Sequence, residues 1–173
     1  MRRLWTVLLI FALTGTGVLA RGRKNKQPVT VYIDHGAMIS TRSLSLALAL
    51  AHDMFAPAGV DLKWRPGRPE LEPGDIVIQI TSNTPASLHP DALAYARPFD
   101  GVHVRIFYDR VAKMGDVRLA PRVLAHVMVH EITHNLQGID HHSTDGVMKA
   151  IGRLKTSQAW RASRFRSIHR TWS

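Results

Sequence analysis

The sequence predicts an α+β domain in which several short strands accompany one principal, buried helix. Three observations lead there. Segments rich in β-branched residues, such as Val29-Thr30-Val31-Tyr32-Ile33 and Ile76-Val77-Ile78-Gln79-Ile80, alternate with stretches of helical period. One of those stretches, Pro121 to Gln137, is apolar almost all round, which suits the inside of a protein better than its surface. The chain has 173 residues, the length of one domain able to bury a core without cross-links.

The N-terminus stands apart from the domain. Arg2 and Arg3 precede an apolar run from Leu4 to Leu13, and small residues follow up to Val18-Leu19-Ala20. That pattern predicts a secretory signal peptide over 1–20, cleaved near Ala20, and hence a secreted or periplasmic protein. An uncleaved anchor is the alternative, although the apolar run is short for a membrane span. Residues 21–28 read as a basic linker, and 29–173 as the folded domain.

Within the domain the first strand is Val29 to Ile33. Ser40 or Thr41 caps a helix running to about Phe55, with Leu44, Ala47, Leu48, Ala51 and Phe55 on one face. Pro57 and Gly59 break it, Val60 to Trp64 forms a short strand, and Arg65 to Pro69 is a loop. Ile76 to Ile80 reads as a buried strand. After a polar loop over Ser82 to Pro90, Leu93 to Arg97 is an edge strand, because Pro98 suits an edge better than a sheet centre. Val102 to Tyr108 pairs back across a turn at Asp100-Gly101. Pro121 opens the principal helix and Gly138 ends it. A last helix, Thr156 to Ile168, turns Trp160, Phe165 and Ile168 inward and Arg161, Arg164 and Arg166 to solvent.

Composition narrows the chemistry. There is no cysteine, which excludes cysteine-ligated zinc and a cysteine nucleophile. The formal net charge is +10; Arg2 and Arg3 supply two of those charges and residues 1–20 hold no acid, leaving +8 after cleavage. The basic runs at Arg21 to Lys26 and Lys149 to Arg170 lack the interleaved aromatics of a nucleic-acid platform. No nucleic-acid partner is expected, and the runs suit a solvated face or a weak contact with an anionic envelope.

The chemistry-bearing motif is His130-Glu131-Ile132-Thr133-His134. Residues four apart share a helix face, so His130 and His134 can offer nitrogens to one metal ion. Glu131 lies about 100° round the helix from His130, placed to hold a water without coordinating. The chain has 10 histidines but three glutamates, so a chance match has a probability of roughly 1%. Histidines and a glutamate inside an apolar helix are costly unless bound to something, which favours a metal. The third ligand is Asp140, His141 or His142; adjacent extended residues point opposite ways, so both histidines cannot serve, and spacing alone does not choose. His126 lies four residues before His130, but no glutamate follows it, and it reads as a satisfied core histidine.

These residues resemble the metzincin clan of zinc peptidases, whose signature is His-Glu-x-x-His-x-x-Gly-x-x-His, or Asp at the last place in the snapalysin-like branch, followed by a methionine turn. His130, Glu131 and His134 match; His142-Ser143-Thr144-Asp145 is similar to the third-ligand segment of matrixins, and Gly146-Val147-Met148 to the methionine turn. Leu93-Ala94-Tyr95-Ala96-Arg97-Pro98 is similar to the matrixin edge strand along the substrate cleft. The likeness covers about 29–170 in element order and is motif-specific from His130 to Met148. Gly138 comes one residue late, the strict spacing falls on Asp140, and no tyrosine follows Met148.

The resemblance implies a zincin-like fold with a small twisted mixed sheet, His142 as third ligand, one catalytic Zn2+, and Met148 as an apolar floor. It implies Glu131 as the general base of an exported, monomeric endopeptidase acting on peptide or protein substrates. Leu93, Ala94, Tyr95 and Ala96 would bind substrate by strand addition, and Lys149 and Arg153 near the turn would at most engage acidic groups. Two other readings are a catalytically weak zinc-binding protein and a basic module for nucleic acid or envelope polymer.

Overall fold

The computed structural model describes residues 27–36, 38–67, 70, 72–97, 103–114, 116–138, 141, 142 and 148. The expected signal peptide, linker residues 21–26, Asp100-Gly101 turn, Asp140, Lys149, Arg153 and C-terminal helix lie outside them.

Among the described residues five strands form one mixed sheet in the order β2-β1-β3-β5-β4. They are β1 (Gln27–His35), β2 (Val60–Pro66), β3 (Ile76–Thr81), β4 (Ala94–Arg97) and β5 (His103–Phe107). β2, β1, β3 and β5 run parallel, and β4 pairs antiparallel with β5 at the edge. Alternation along each strand separates two faces. Val31, Ile33, Leu62, Ile78, Ile80, Val104 and Ile106 are buried on one, in the same core as the helices. Tyr32, Asp34, Gln79 and Arg105 alternate with them and are half-buried.

Two long helices cover the core face, α1 (Thr41–Phe55) and α3 (Ala120–Gln137); between β5 and α3 lies the short α2 (Tyr108–Lys113). The Ser40 hydroxyl caps α1 by accepting the Ser43 N–H at 3.2 Å. Leu44, Ala47, Ala51 and Phe55 are buried as their spacing predicts, and Met54 joins them. α1 packs on α3, and α3 also meets β3, β4 and β5. Among the described residues no helix is long and apolar enough to cross a membrane.

The expected α+β class with a mixed sheet is thus present, with local corrections. β1 begins at Gln27, paired with Val60, so Gln27 and Pro28 belong to the sheet and not to the linker. Tyr108, expected to end a strand, starts α2. Leu136, within the stretch read from its sequence as apolar almost all round, is 41% exposed near the C-terminal end of α3.

Candidate metal centre

α3 places the motif. Twelve of its 18 residues are buried, including His130, Glu131 and Thr133, so polar groups there need partners. Thr133 meets that need by donating its hydroxyl to the Val129 carbonyl at 2.7 Å. Asn135 donates its side-chain amide to the Glu131 carbonyl at 2.9 Å. The helix stops at Gly138, whose φ of 62° lies in the left-handed region and whose N–H reaches the His134 carbonyl at 2.9 Å. Beyond that stop come His141 and His142, both exposed.

The structure brings His142 back to the helix pair. One ring nitrogen from each of His130, His134 and His142 lies within 4.8 Å of the others. The Nε2 atoms of His130 and His134 are 3.0 Å apart. Two nitrogens on a tetrahedral zinc, each about 2.0–2.1 Å from the ion, are separated by about 3.3 Å. The helix pair is therefore close to metal-ligating spacing. The His130 and His142 rings are stacked at 5.1 Å, 10° from parallel, and both stand nearly perpendicular to the His134 ring. His130 is buried, His134 half-buried and His142 exposed, so the cluster opens from the core toward solvent. Among the described residues His141 does not join the group.

Glu131 follows His130 and is 7% exposed. Burial pushes its carboxyl from 4.5 up to about 7, because a low-dielectric surrounding disfavours the charged form. Met148 is 5% exposed. His126 stays out of the cluster; it is half-buried, and the burial it has lowers its imidazole from 6.5 to about 4.

The four residues expected at a substrate cleft lie at the antiparallel edge. Leu93 is buried and heads β4, while Ala94, Tyr95 and Ala96 are half-buried within it. The Phe107 N–H donates to the Leu93 carbonyl at 2.8 Å. Hydrogen-bonded pairs alternate in an antiparallel ladder, so Tyr95, opposite Arg105, continues that bonding. Ala94 and Ala96 consequently direct their N–H and C=O groups away from β5, to the side on which no described strand lies. Tyr95 packs its ring 5.9 Å from Phe107 and lies beneath the Arg105 guanidinium at 5.9 Å.

Sequence reasoning missed Asp109 and Arg110 on α2. Asp109 accepts from the Thr84 hydroxyl at 2.8 Å, and Arg110 donates to the carbonyls of His89 and Ala92. Two of those acceptors are backbone atoms, which leave no signal in residue type.

No protein-family model matches the chain, nor does any curated protein or solved structure. The functional reading therefore rests on the residues themselves.

Proposed function

We propose that this chain is an exported zinc-dependent endopeptidase with a metzincin-like arrangement. The observation that carries the reading is the convergence of His130, His134 and His142, with the buried Glu131 next to His130 in the helix. Three neutral imidazoles and no thiolate form the donor set of a catalytic rather than a closed structural zinc site, since three protein ligands leave a fourth position open. The half-buried to exposed grading of His134 and His142 gives that position access from solvent. The mixed sheet with an antiparallel edge, the motif on α3 and the buried Met148 support the metzincin-like assignment. Export is supported by the basic, apolar and small-residue pattern of 1–20.

A zinc ion held by His130, His134 and His142 would supply a Lewis acid able to lower the pKa of water. The protein's own part falls to three groups. The histidines hold the cation as neutral donors, with His130 anchored in the core. Glu131 removes a proton from the attacking water and passes it to the leaving amine nitrogen. The N–H and C=O groups of Ala94 and Ala96 that face away from β5 receive an extended peptide as an added strand, which binds main chain and tolerates varied sequence.

The test is hydrolysis of an unfolded protein substrate by the zinc-loaded chain. Cleavage abolished by a chelator, restored by zinc, and lowered at least about 100-fold in Glu131→Ala supports the proposal. Zinc binding with no cleavage, and no difference between parent and Glu131→Ala, supports instead a zinc-binding protein without catalysis.

A further inference from the structure

β4 has four residues and, among the described residues, one neighbouring strand, β5. Such a strand frays unless something outside the ladder holds it. A peptide that must first order a frayed edge binds more weakly than one meeting a preformed edge.

The loop leading into β4 is fastened by α2. Residues His89 to Ala92 form a turn with Pro90 in its second position; the Ala92 N–H donates to the His89 carbonyl at 3.0 Å. The Asp91 N–H donates to His89 Nδ1 at 3.2 Å. One guanidinium nitrogen of Arg110 donates to the carbonyls at both ends of this turn, at 2.6 Å to His89 and 2.7 Å to Ala92. The same guanidinium lies 5.7 Å from the centre of the Phe107 ring. Phe107 in turn packs against Tyr95 and donates its N–H to Leu93, the residue that heads β4. One cation thus ties the turn to the first rung of the edge ladder. Charge-assisted bonds of this length are among the stronger ones available to a surface loop.

We propose that Arg110 is a positioning residue for peptide substrate. It holds the head of β4 in register, so that Ala94 and Ala96 present a preformed edge to an extended chain. The role of the held edge rests on the metallopeptidase reading, while the clip itself does not. Its effect falls on binding and leaves the proton transfer at Glu131 untouched.

The experiment compares the zinc-loaded parent with Arg110→Met, which keeps an apolar stem over Phe107 but donates no hydrogen bond. Amide hydrogen exchange across 93–97, zinc affinity, and KM and kcat for an extended peptide are measured together. We expect exchange about tenfold faster in β4, KM raised about tenfold, and kcat within about twofold, with zinc affinity unchanged. Arg110→Lys, which retains the charge and the stem, should recover part of both losses, and it decides the question by the same readouts if Arg110→Met does not fold. Unchanged exchange in β4 overturns the clip. A fall in kcat at constant KM overturns the positioning role. Faster exchange in the variant of a parent that cleaves no peptide overturns the peptidase reading and the substrate role together, leaving the clip as a purely structural bond.

Discussion

Replacing Glu131 with glutamine should stabilise the metal-free protein, and only toward neutral and alkaline pH. In the native chain, burial raises this carboxyl from 4.5 to about 7, whereas the unfolded chain exposes it to water. Between those two values the native state keeps a proton that the unfolded state has lost. Stability therefore falls as pH rises through that window, and the cost is complete above about pH 7. Each tenfold change in acidity corresponds to about 1.4 kcal/mol, so the interval from 4.5 to about 7 amounts to about 3 kcal/mol. Glutamine carries no charge and avoids this term, but its buried amide costs about 1 kcal/mol at every pH. The net expectation is a gain of about 2 kcal/mol at pH 8 and a slight loss near pH 4.5. Urea unfolding of both proteins in excess chelator, at several pH values, measures the difference while the titration of other groups cancels. Saturating zinc should shrink it, since a cation beside the carboxylate favours its charged form. A stability difference that does not change with pH, or that grows toward acid, would refute the reasoning.

Three further outcomes follow from the same helix and its C-terminal stop. His126, lowered by burial from 6.5 to about 4, is charged first in the unfolded chain, so stability is lost as pH falls through that range, by up to about 3 kcal/mol; His126→Gln should flatten the acid limb of a stability–pH profile, and an unchanged limb would contradict this. Gly138→Ala should cost about 1 kcal/mol by denaturant unfolding, because φ is 62° and an added Cβ meets nothing within 4 Å, so the penalty is conformational alone. Gly138→Asn should cost less than Gly138→Ala, since asparagine tolerates the left-handed region.

What could be read from the sequence depended on whether burial left a period. β1, β3, α1 and α3 did so, through Val31 and Ile33, Ile76 to Ile80, Leu44 to Phe55, and Val123 to Ile132. Local chemistry marked two boundaries, the Ser40 cap and the Gly138 stop. α2 left no such trace: it has six residues, and Val111 alone is buried among them. Leu136 was misjudged because periodicity reports a face of a helix and not where the core beneath it ends. At the site, the four-residue spacing of His130 and His134 is a property of any helix and was legible. The partner from beyond Gly138 was not settled by spacing, since the path of a non-helical segment depends on the turn that begins it. The structure brings His142 rather than His141 to the pair. Arg110 was invisible because its acceptors are carbonyls 21 and 18 residues earlier in the chain.

The central claim is that three imidazoles hold one divalent cation, and calorimetric zinc titration of the chelator-stripped protein tests it most directly. The account predicts one zinc per chain, affinity reduced at least about tenfold in His142→Ala, and no change in His141→Ala. Failure of the parent to take up zinc, or equal losses from both substitutions, would contradict it.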